Sequence, residues 1–337
     1  MAQKKVNVAV AGLGFMGVTH LRAYQQLRNA RIVAVCDPVR APVNGRLGGV
    51  NGNIGDSSGI ALGDDVKVYR EFSELLADRA VDLVDICTPT KLHPAQVTAA
   101  MRAHKHVLCE KPLAQNVGDV KKILGAANGN GNFLMPAMCM RFWPGWAEMK
   151  KVVAEKTYGA VLAANFRRVS AKPAWGKAGV HSGGALYDLH IHDTDFVNFL
   201  FGRPQKVFST GVVDKHGNVD HVVTQYIYAG GPVVHAEGSW LLAEGFNMAF
   251  TLDCERATID FDLARGAGAL QISRAGKTRR LLKPAGADGY SAEIRYFVDC
   301  VARGQAPTVV TAHDSVTALE ILRAEEKSVR TGKVVKL

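Results

Sequence analysis

Along the first 137 residues the chain switches repeatedly between short continuous apolar runs and stretches whose apolar residues recur at helical spacing. The runs predict strands at Val6 to Ala11, Ile32 to Cys36, Val66 to Tyr69, Leu83 to Thr88, His106 to Cys109 and Phe133 to Met135. Between them lie helical patterns at Met16 to Leu27, Phe72 to Ala77, Pro94 to Ala103 and Val117 to Ala127. Mostly apolar strands separated by helices are what a parallel sheet covered on both faces requires, so a doubly wound α/β domain over 1–136 is expected. After that the rhythm changes to alternating, turn-separated segments: Ala160 to Val169, Val219 to Tyr228, Val233 to Trp240, Asn247 to Asp253 and Ala257 to Asp262. One helix is predicted near Ala185 to Phe201, and two more close the chain at Ser291 to Ala302 and Ala312 to Arg330. This pattern predicts an α+β domain with a largely antiparallel open sheet over 137–337.

One segment resists the scheme. Positions 42–65, rich in Gly, Asn, Asp and Ser, follow the second strand where a crossover helix should begin, and read as a long functional or mobile loop. Length and composition agree with two packed cores: 337 residues, 47% of them apolar. Six cysteines without a C-x-x-C pair read as reduced thiols, three of them (Cys36, Cys87, Cys109) ending apolar runs, which predicts a cytoplasmic protein. The opening apolar run meets Gly12 too soon for a signal peptide or a membrane span. A net charge of +10 would suit an anionic partner, but the basic doublets are scattered and none interleaves with aromatics, so neither nucleic acid nor membrane is an expected partner.

Chemistry concentrates at the strand ends. VAVAGLGFMG carries Gly12, Gly14 and Gly17 in G-x-G-x-x-G spacing between a strand and a helix, with Phe15 and Met16 completing the turn. The first glycine permits the tight turn, the second lets backbone approach a pyrophosphate, and the third lets helix and strand pack closely. Twenty residues beyond Gly17 (37 − 17), Asp37 ends the second strand where a carboxylate accepts ribose hydroxyls and repels a 2′-phosphate. NAD is therefore the expected cofactor, with NADP kept open by Arg40, three residues on. DICTPTKLHP and HVLCEKP close the fourth and fifth strands, so Thr88, Pro89 and His93 should border the nicotinamide side, and Glu110 and Lys111 the junction of cofactor and substrate. Thr88 and His93 also have plain structural readings, as a strand end and a helix start.

The stretch GGALYDLHIHDTDF, 183–196, gathers two histidines and three carboxylates after paired glycines. Projected on a helix at about 100° per residue, Asp188 and His192 lie about 40° apart, whereas His190 and Asp193 point away and read as structural. A metal site from His190, His192 and Asp193 has suitable ligand types but poor facing, and no metal is expected. Trp143, Trp146, Trp175 and Trp240 could stack on a sugar face or fill a core.

Taken together, AGLGFMG, DICTPTKLHP, CEKPLA and GGALYDLHIHDTDF, with MRFWP and YFVDCVARGQAPTV, resemble the glucose-fructose oxidoreductase / inositol dehydrogenase / MocA family over nearly the whole chain. The resemblance implies a Rossmann domain followed by a domain whose open sheet commonly mediates oligomer contacts, hence a homodimer or homotetramer. It places the family's catalytic lysine on Lys111, its aspartate on Asp188 and its histidine on His192. The implied activity is hydride transfer between NAD(P) and a secondary hydroxyl, or the matching ketone, of a sugar, glycoside or cyclitol. In such a reaction His192 is suited to take the hydroxyl proton, Lys111 to stabilise the alkoxide or share that proton, and Asp188 to hold an adjacent hydroxyl. Three alternatives stay open: a glycoside-cleaving enzyme that uses NAD for transient oxidation, a dinucleotide-sensing regulator with a degenerate site, and a reductase of non-sugar ketones or imines. The 42–65 loop is longer than the family's usual crossover.

Overall fold

The computed structural model describes residues 5–50, 52, 58–129, 131–174, 183–284, 286 and 288–337. They form two compact units: Met1–Phe142 with Asp288–Val316, and Trp143–Ala287 with Thr317–Leu337. The apolar pattern divides the chain once, after 136; in the structure the chain re-enters the first unit at 288. The cause is the helix that begins there.

In the first unit the elements in chain order are β1 (Val6–Ala11), α1 (Phe15–Gln25), β2 (Ala30–Cys36), the short strands β3 (Arg46–Leu47) and β4 (Ile60–Ala61), β5 (Lys67–Tyr69), α2 (Phe72–Ala77), β6 (Leu83–Ile86), α3 (His93–Arg102), β7 (His106–Glu110), α4 (Val117–Ala127) and β8 (Leu134–Ala137). Six of these strands build a sheet in the order β5-β2-β1-β6-β7-β8, every pairing parallel. Its central strands are buried on both faces, with Val8, Val10, Leu83, Val84, Val107 and Leu108 fully inaccessible, which is why they read as unbroken apolar runs. The strand order reverses at β1, so the carboxyl ends of β1 and β6 flank the crevice where doubly wound sheets bind ligands.

The 42–65 segment, expected to be an unstructured loop, instead pairs β3 with β4 as an antiparallel ribbon; its residues 51 and 53–57 lie outside the described residues. The ribbon is tied to its own unit: the Gln25 side-chain amide donates to the Ala61 carbonyl (2.6 Å), and the Arg22 guanidinium to the Ser58 carbonyl. Among the described residues no helix lies between β2 and β5, because the Gly- and Asn-rich composition supplies turns where a crossover needs apolar periodicity.

In the second unit α5 (Ala147–Ala154) is followed by β9 (Val161–Ala171), a π-turn at Leu186–His190, α6 (Ile191–Phe201), β10 (Lys206–Val213), β11 (Val219–Ile227), β12 (Val233–Cys254), β13 (Ala257–Asp262), β14 (Leu270–Ser273) and β15 (Arg280–Leu282). The 22-residue β12 bends around β9. Its first half pairs Val233 with Ala163 through Ser239 with Val169, and its second half pairs Phe246 with Ser170 through Asp253 with Ala163, so β9 runs with the first half and against the second. The other pairings among β10 to β15 are antiparallel. An aromatic core fills one face. Trp146 is fully buried and meets Phe250 and Phe196 edge-on, with centroids 4.9 and 5.1 Å away, and Phe166 and Phe261 at about 6 Å.

Two terminal helices follow. α7 (Gly289–Arg303) packs against α1 with Ile294, Phe297 and Val298 inward; Asp288 caps its start through the Ser291 amide (2.7 Å), and Gly304 ends it at φ 64°. Asn29 donates to Asp299 (2.7 Å), and Arg141 reaches the Val309 carbonyl (2.8 Å) and Asp314 (3.0 Å). Those contacts hold 288–316 to the first unit. α8 (Ala312–Thr331) has its remainder in the second unit, where β16 (Val335–Lys336) pairs with β10.

Of the four tryptophans offered for sugar stacking, Trp146 and Trp240 are core residues, Trp143 is half-buried, and Trp175 lies outside the described residues. The six cysteines are all unpaired, and no described helix is long and apolar enough to cross a membrane. Trp146→Ala should cost about 3–5 kcal/mol in urea unfolding, because the four phenylalanine rings around it would line the cavity it leaves; a loss below about 1 kcal/mol would show that the ring cluster is not the second unit's core.

Candidate active site

In the turn after β1, Gly12 and Gly17 leave no room for a side chain. Gly12 sits at φ 88°, and a Cβ there would fall 2.6 Å from the Cys87 carbonyl oxygen. A Cβ on Gly17 would fall 1.9 Å from the Gly12 carbonyl oxygen, so the helix can close on the strand only without one. At Gly14 a Cβ would meet nothing within 4 Å: this glycine faces open space in front of α1. It is also the helix N-cap, with no side chain bonding the first amides, and Gly14, Phe15 and Met16 are partly exposed. Free N–H groups, a positive helix end and an unobstructed approach fit a dinucleotide's diphosphate. Phe15 lays its ring against Gly52 of the 42–65 segment, where a Cβ would not fit.

Asp37 does not present both oxygens to a ligand, as the sequence led us to expect. Oδ1 accepts the amides of Val39 (2.9 Å) and Arg40 (2.8 Å), and Oδ2 accepts that of Leu13 (2.8 Å), leaving a lone-pair site on Oδ2. Burial raises its pKa, but the Arg40, Leu13 and Val39 amides and the Arg40 charge outweigh that and hold the carboxyl below its usual range. The Arg40 guanidinium donates to the carbonyls of Leu13 and of Gly48 (2.7 Å), so it is engaged with backbone rather than poised for a phosphate.

At the end of β6, Thr88 is half-buried with its hydroxyl donating to the Gln96 amide oxygen (2.5 Å), and Pro89 is exposed. His93 departs from expectation: it is buried, and its ring spans the Pro112 carbonyl (Nδ1, 2.9 Å) and the Thr88 carbonyl (Nε2, 2.7 Å). It ties two strand ends together and offers a cofactor no free nitrogen. Burial lowers its pKa. Glu110 is buried at the end of β7; its Oε2 accepts the Lys111 amide (3.0 Å) and its Oε1 lies 3.2 Å from Nε2 of His20. Lys111 is partly exposed and joined to Pro112 by a cis peptide.

Sequence reasoning missed His20 altogether. It lies on the buried face of α1, Nδ1 2.8 Å from Asp85 and near the Cys87 sulfur (3.4 Å). A lone histidine among apolar residues carries no signal in one sequence; only its partners on β6 and β7 reveal it. His20, Asp85 and Cys87 bring potential metal-ligand atoms within 4.8 Å of one another. A cavity of about 450 Å³ opens at the other edge of the same sheet, beside Val6, Asp82 and His106 at strand starts, away from all of these residues.

In the second unit the helix predicted over 185–201 is not uniform. Gly183 (φ 84°) and Gly184 (φ 76°) lead into the π-turn, and a Cβ on Gly184 would fall 2.5 Å from the Val219 carbonyl oxygen. The 100° projection therefore fails before residue 191, since a π-turn widens the helix; such turns recur at functional sites. The titratable residues nonetheless separate cleanly. Asp188 and His192 are partly exposed, while His190, Asp193 and Asp195 are buried. Asp193 accepts a forked pair of bonds from Arg168 (2.7 and 3.2 Å), whose guanidinium lies 5.3 Å from the Trp146 ring. His190 meets the Tyr226 hydroxyl (3.3 Å) and Glu325 (3.6 Å), and Thr194 completes that buried network.

With that geometry in hand, residues 6–138 match the oxidoreductase family model described as an NAD-binding Rossmann fold, and 146–260 match the GFO/IDH/MocA C-terminal domain. The chain belongs to the Gfo/Idh/MocA family. It is similar to the myo-inositol 2-dehydrogenase of Thermotoga maritima, 27% identical over 98% of each chain. The scyllo-inositol 2-dehydrogenase (NAD+) of Bacillus subtilis is 25% identical over 99% of this chain and 97% of that one. Levoglucosan dehydrogenase in complex with NADH and L-sorbose shares the fold, with a TM-score of 0.82 at 20% identity over 99% of each chain. The first unit is thus an NAD-binding domain of an oxidoreductase.

Two substitutions separate the roles of neighbouring carboxylates. Asp193→Asn should cost about 3–5 kcal/mol in chemical denaturation by stranding the buried Arg168 cation, whereas Asp188→Asn should cost at most about 1 kcal/mol. Gly17→Ala should weaken NADH binding at least about tenfold by fluorescence titration, because the turn must open to admit the methyl; unchanged affinity would contradict the tight turn.

Proposed function

We propose that the protein is an NAD-dependent dehydrogenase of a cyclitol or sugar, oxidising a secondary ring hydroxyl or reducing the matching ketone. The carrying observation is that, of five titratable residues between 188 and 195, Asp188 and His192 remain partly exposed while His190, Asp193 and Asp195 are buried, Asp193 paired with Arg168 and His190 in a network with Tyr226 and Glu325. The family membership and the inositol dehydrogenase relatives over full length support the substrate class.

NAD supplies the hydride acceptor when bound. The residues that would hold it are Gly12, Gly14, Phe15, Met16 and Gly17 at the diphosphate and Asp37 at the adenosine ribose, with Thr88, Pro89 and Glu110 at the strand ends. The ionised Asp37 disfavours a 2′-phosphate, which makes NAD the preferred dinucleotide over NADP. On the substrate, His192 takes the proton of the reacting hydroxyl, the role for which an imidazole side chain is suited. Lys111 stabilises the developing alkoxide as a cation. Asp188 accepts a hydrogen bond from a neighbouring hydroxyl and so orients the ring. We propose a homodimer or homotetramer as the working assembly.

An NADH absorbance screen over inositols, hexoses, glycosides and sugar acids tests the assignment. Turnover on at least one cyclitol or sugar is expected, and Lys111→Ala should lower kcat at least about a hundredfold while NADH affinity is kept. Wild-type turnover in that variant removes Lys111 from the mechanism. Product formation from a glycoside without net NADH would replace the dehydrogenase reading by the transient-oxidation one.

A further inference from the structure

Beneath Lys111 the first unit buries more ionisable groups than the reaction uses. His20 on α1 faces Asp85 and Cys87 from the end of β6 and Glu110 from β7, with Tyr24 one turn along its own helix. From α7, Glu293 enters the same region; it is fully buried, and neither of its carboxyl oxygens has a hydrogen-bond partner among the described residues. A neutral imidazole has one N–H, yet both His20 nitrogens face carboxylates, at 2.8 Å (Asp85) and 3.2 Å (Glu110). Burial disfavours the charged ring, but the Asp85 carboxylate at 2.8 Å outweighs it, and the His20 pKa stands well above its ordinary value. Glu110 responds in the opposite sense: burial would raise it, and His20 with Lys111 holds it low. The Glu293 pKa is pushed well up by burial, then by the charge of Glu110. A metal ion is a poorer occupant, because burial keeps the Cys87 thiol protonated and the Asp85 to Nδ1 distance is that of a shared proton.

The consequence runs through Glu110 to the lysine. One Glu110 oxygen accepts the Lys111 amide and the other lies in charge contact with the imidazole, 3.2 Å from Nε2 without a hydrogen bond, so its charge is balanced by the ring. We propose that His20 is a positioning residue that sets the proton affinity of Lys111: its imidazolium, anchored by Asp85, neutralises Glu110 and keeps that carboxylate on the Lys111 backbone. Asp85, Cys87, Tyr24 and Glu293 surround His20, and Glu110 and His93 share charge interactions with Lys111, which has partners beyond these two. Removing the imidazolium leaves Glu110 uncompensated, which favours the charged lysine and raises its pKa; removing Glu110 while the imidazolium stays lowers it.

This rests on the catalytic reading of Lys111 for its kinetic consequence only, so the test reads the lysine directly. The full-length protein is labelled with a trace of acetic anhydride across a pH series, and acetylation of Lys111 is followed by mass spectrometry in wild type, His20→Gln, Glu110→Gln and the double variant. The Lys111 midpoint should move up by about one pH unit in His20→Gln, down in Glu110→Gln, and return to within about half a unit of wild type when both are present. The lysine-dependent limb of the kcat profile should move with it, with the KM for NAD little changed in His20→Gln. A purely structural His20 would lower activity and stability without moving the midpoint, and the double variant would be worse than either single; that pattern overturns the proposal. Should His20→Gln fail to fold, Glu110→Gln decides alone, an unmoved midpoint counting against the proposal. If the midpoints move as expected but Lys111→Ala is fully active, the electrostatic coupling stands and the catalytic reading falls.

Discussion

The imidazole of His20, held between carboxylates on two adjacent strands, is the contact that joins the three pieces of backbone the chemistry needs. α1 begins at the diphosphate turn, β6 ends at Thr88 and β7 ends at Lys111; His20 comes from the first and touches residues of the other two. Buried ion pairs return little net stability, because stripping water from each charge offsets most of their attraction. An interior that holds His20, Asp85, Glu110 and an unpartnered Glu293 is therefore poorly explained by stability, and well explained by the need to hold strand ends in fixed register. His93 repeats the device with neutral partners, bridging the carbonyls of Thr88 and Pro112. Both sides of the lysine turn are thus gripped by buried rings.

How far the chain could be read from sequence follows from where its order is local. The parallel sheet was legible because its central strands are buried on both faces, so each becomes an apolar run bounded by turns. Strand ends such as Val6, Ala11 and Leu83 come out where they were expected. The second unit was harder. β12 reads as two alternating segments, and nothing local tells that they are continuous through Leu241 to Gly245 or that β9 lies between their halves. α5, β10 and the short β14 and β15 were not read: α5 buries only Met149, β10 is exposed along its second half, and β14 and β15 run only four and three residues. The return of 288–316 to the first unit depends on what Phe297 and Tyr296 meet, which periodicity does not encode.

The candidate site divides the same way. Glycines declare backbone requirements directly, so the tight turn at Gly12 and the close helix–strand packing at Gly17 were readable. Asp37 was readable as a position but not as a geometry: three amides claim most of its lone pairs, an arrangement set by the Asp37–Arg40 turn and Leu13. His93 looked like a cofactor neighbour because a histidine at a strand-end motif is usually read by its chemistry, whereas here both nitrogens are spent on carbonyls. His20 was invisible, since its meaning lies wholly in residues 65 and 90 positions away (85 − 20 and 110 − 20).

The crowding at 188–195 has a physical account that reaches back to function. A helix start that must leave Asp188 and His192 accessible, and also bury the next turn against a sheet, cannot use apolar residues alone, because Arg168 and Tyr226 present polar groups from that sheet. Asp193, His190 and Thr194 answer those groups, and Glu325 closes the network from α8. The glycine-led π-turn supplies the offset that separates the two sets. Catalytic candidates and structural partners therefore alternate within a few residues because one short segment serves two surfaces. Satisfying the buried surface first is what gives the exposed pair a rigid base.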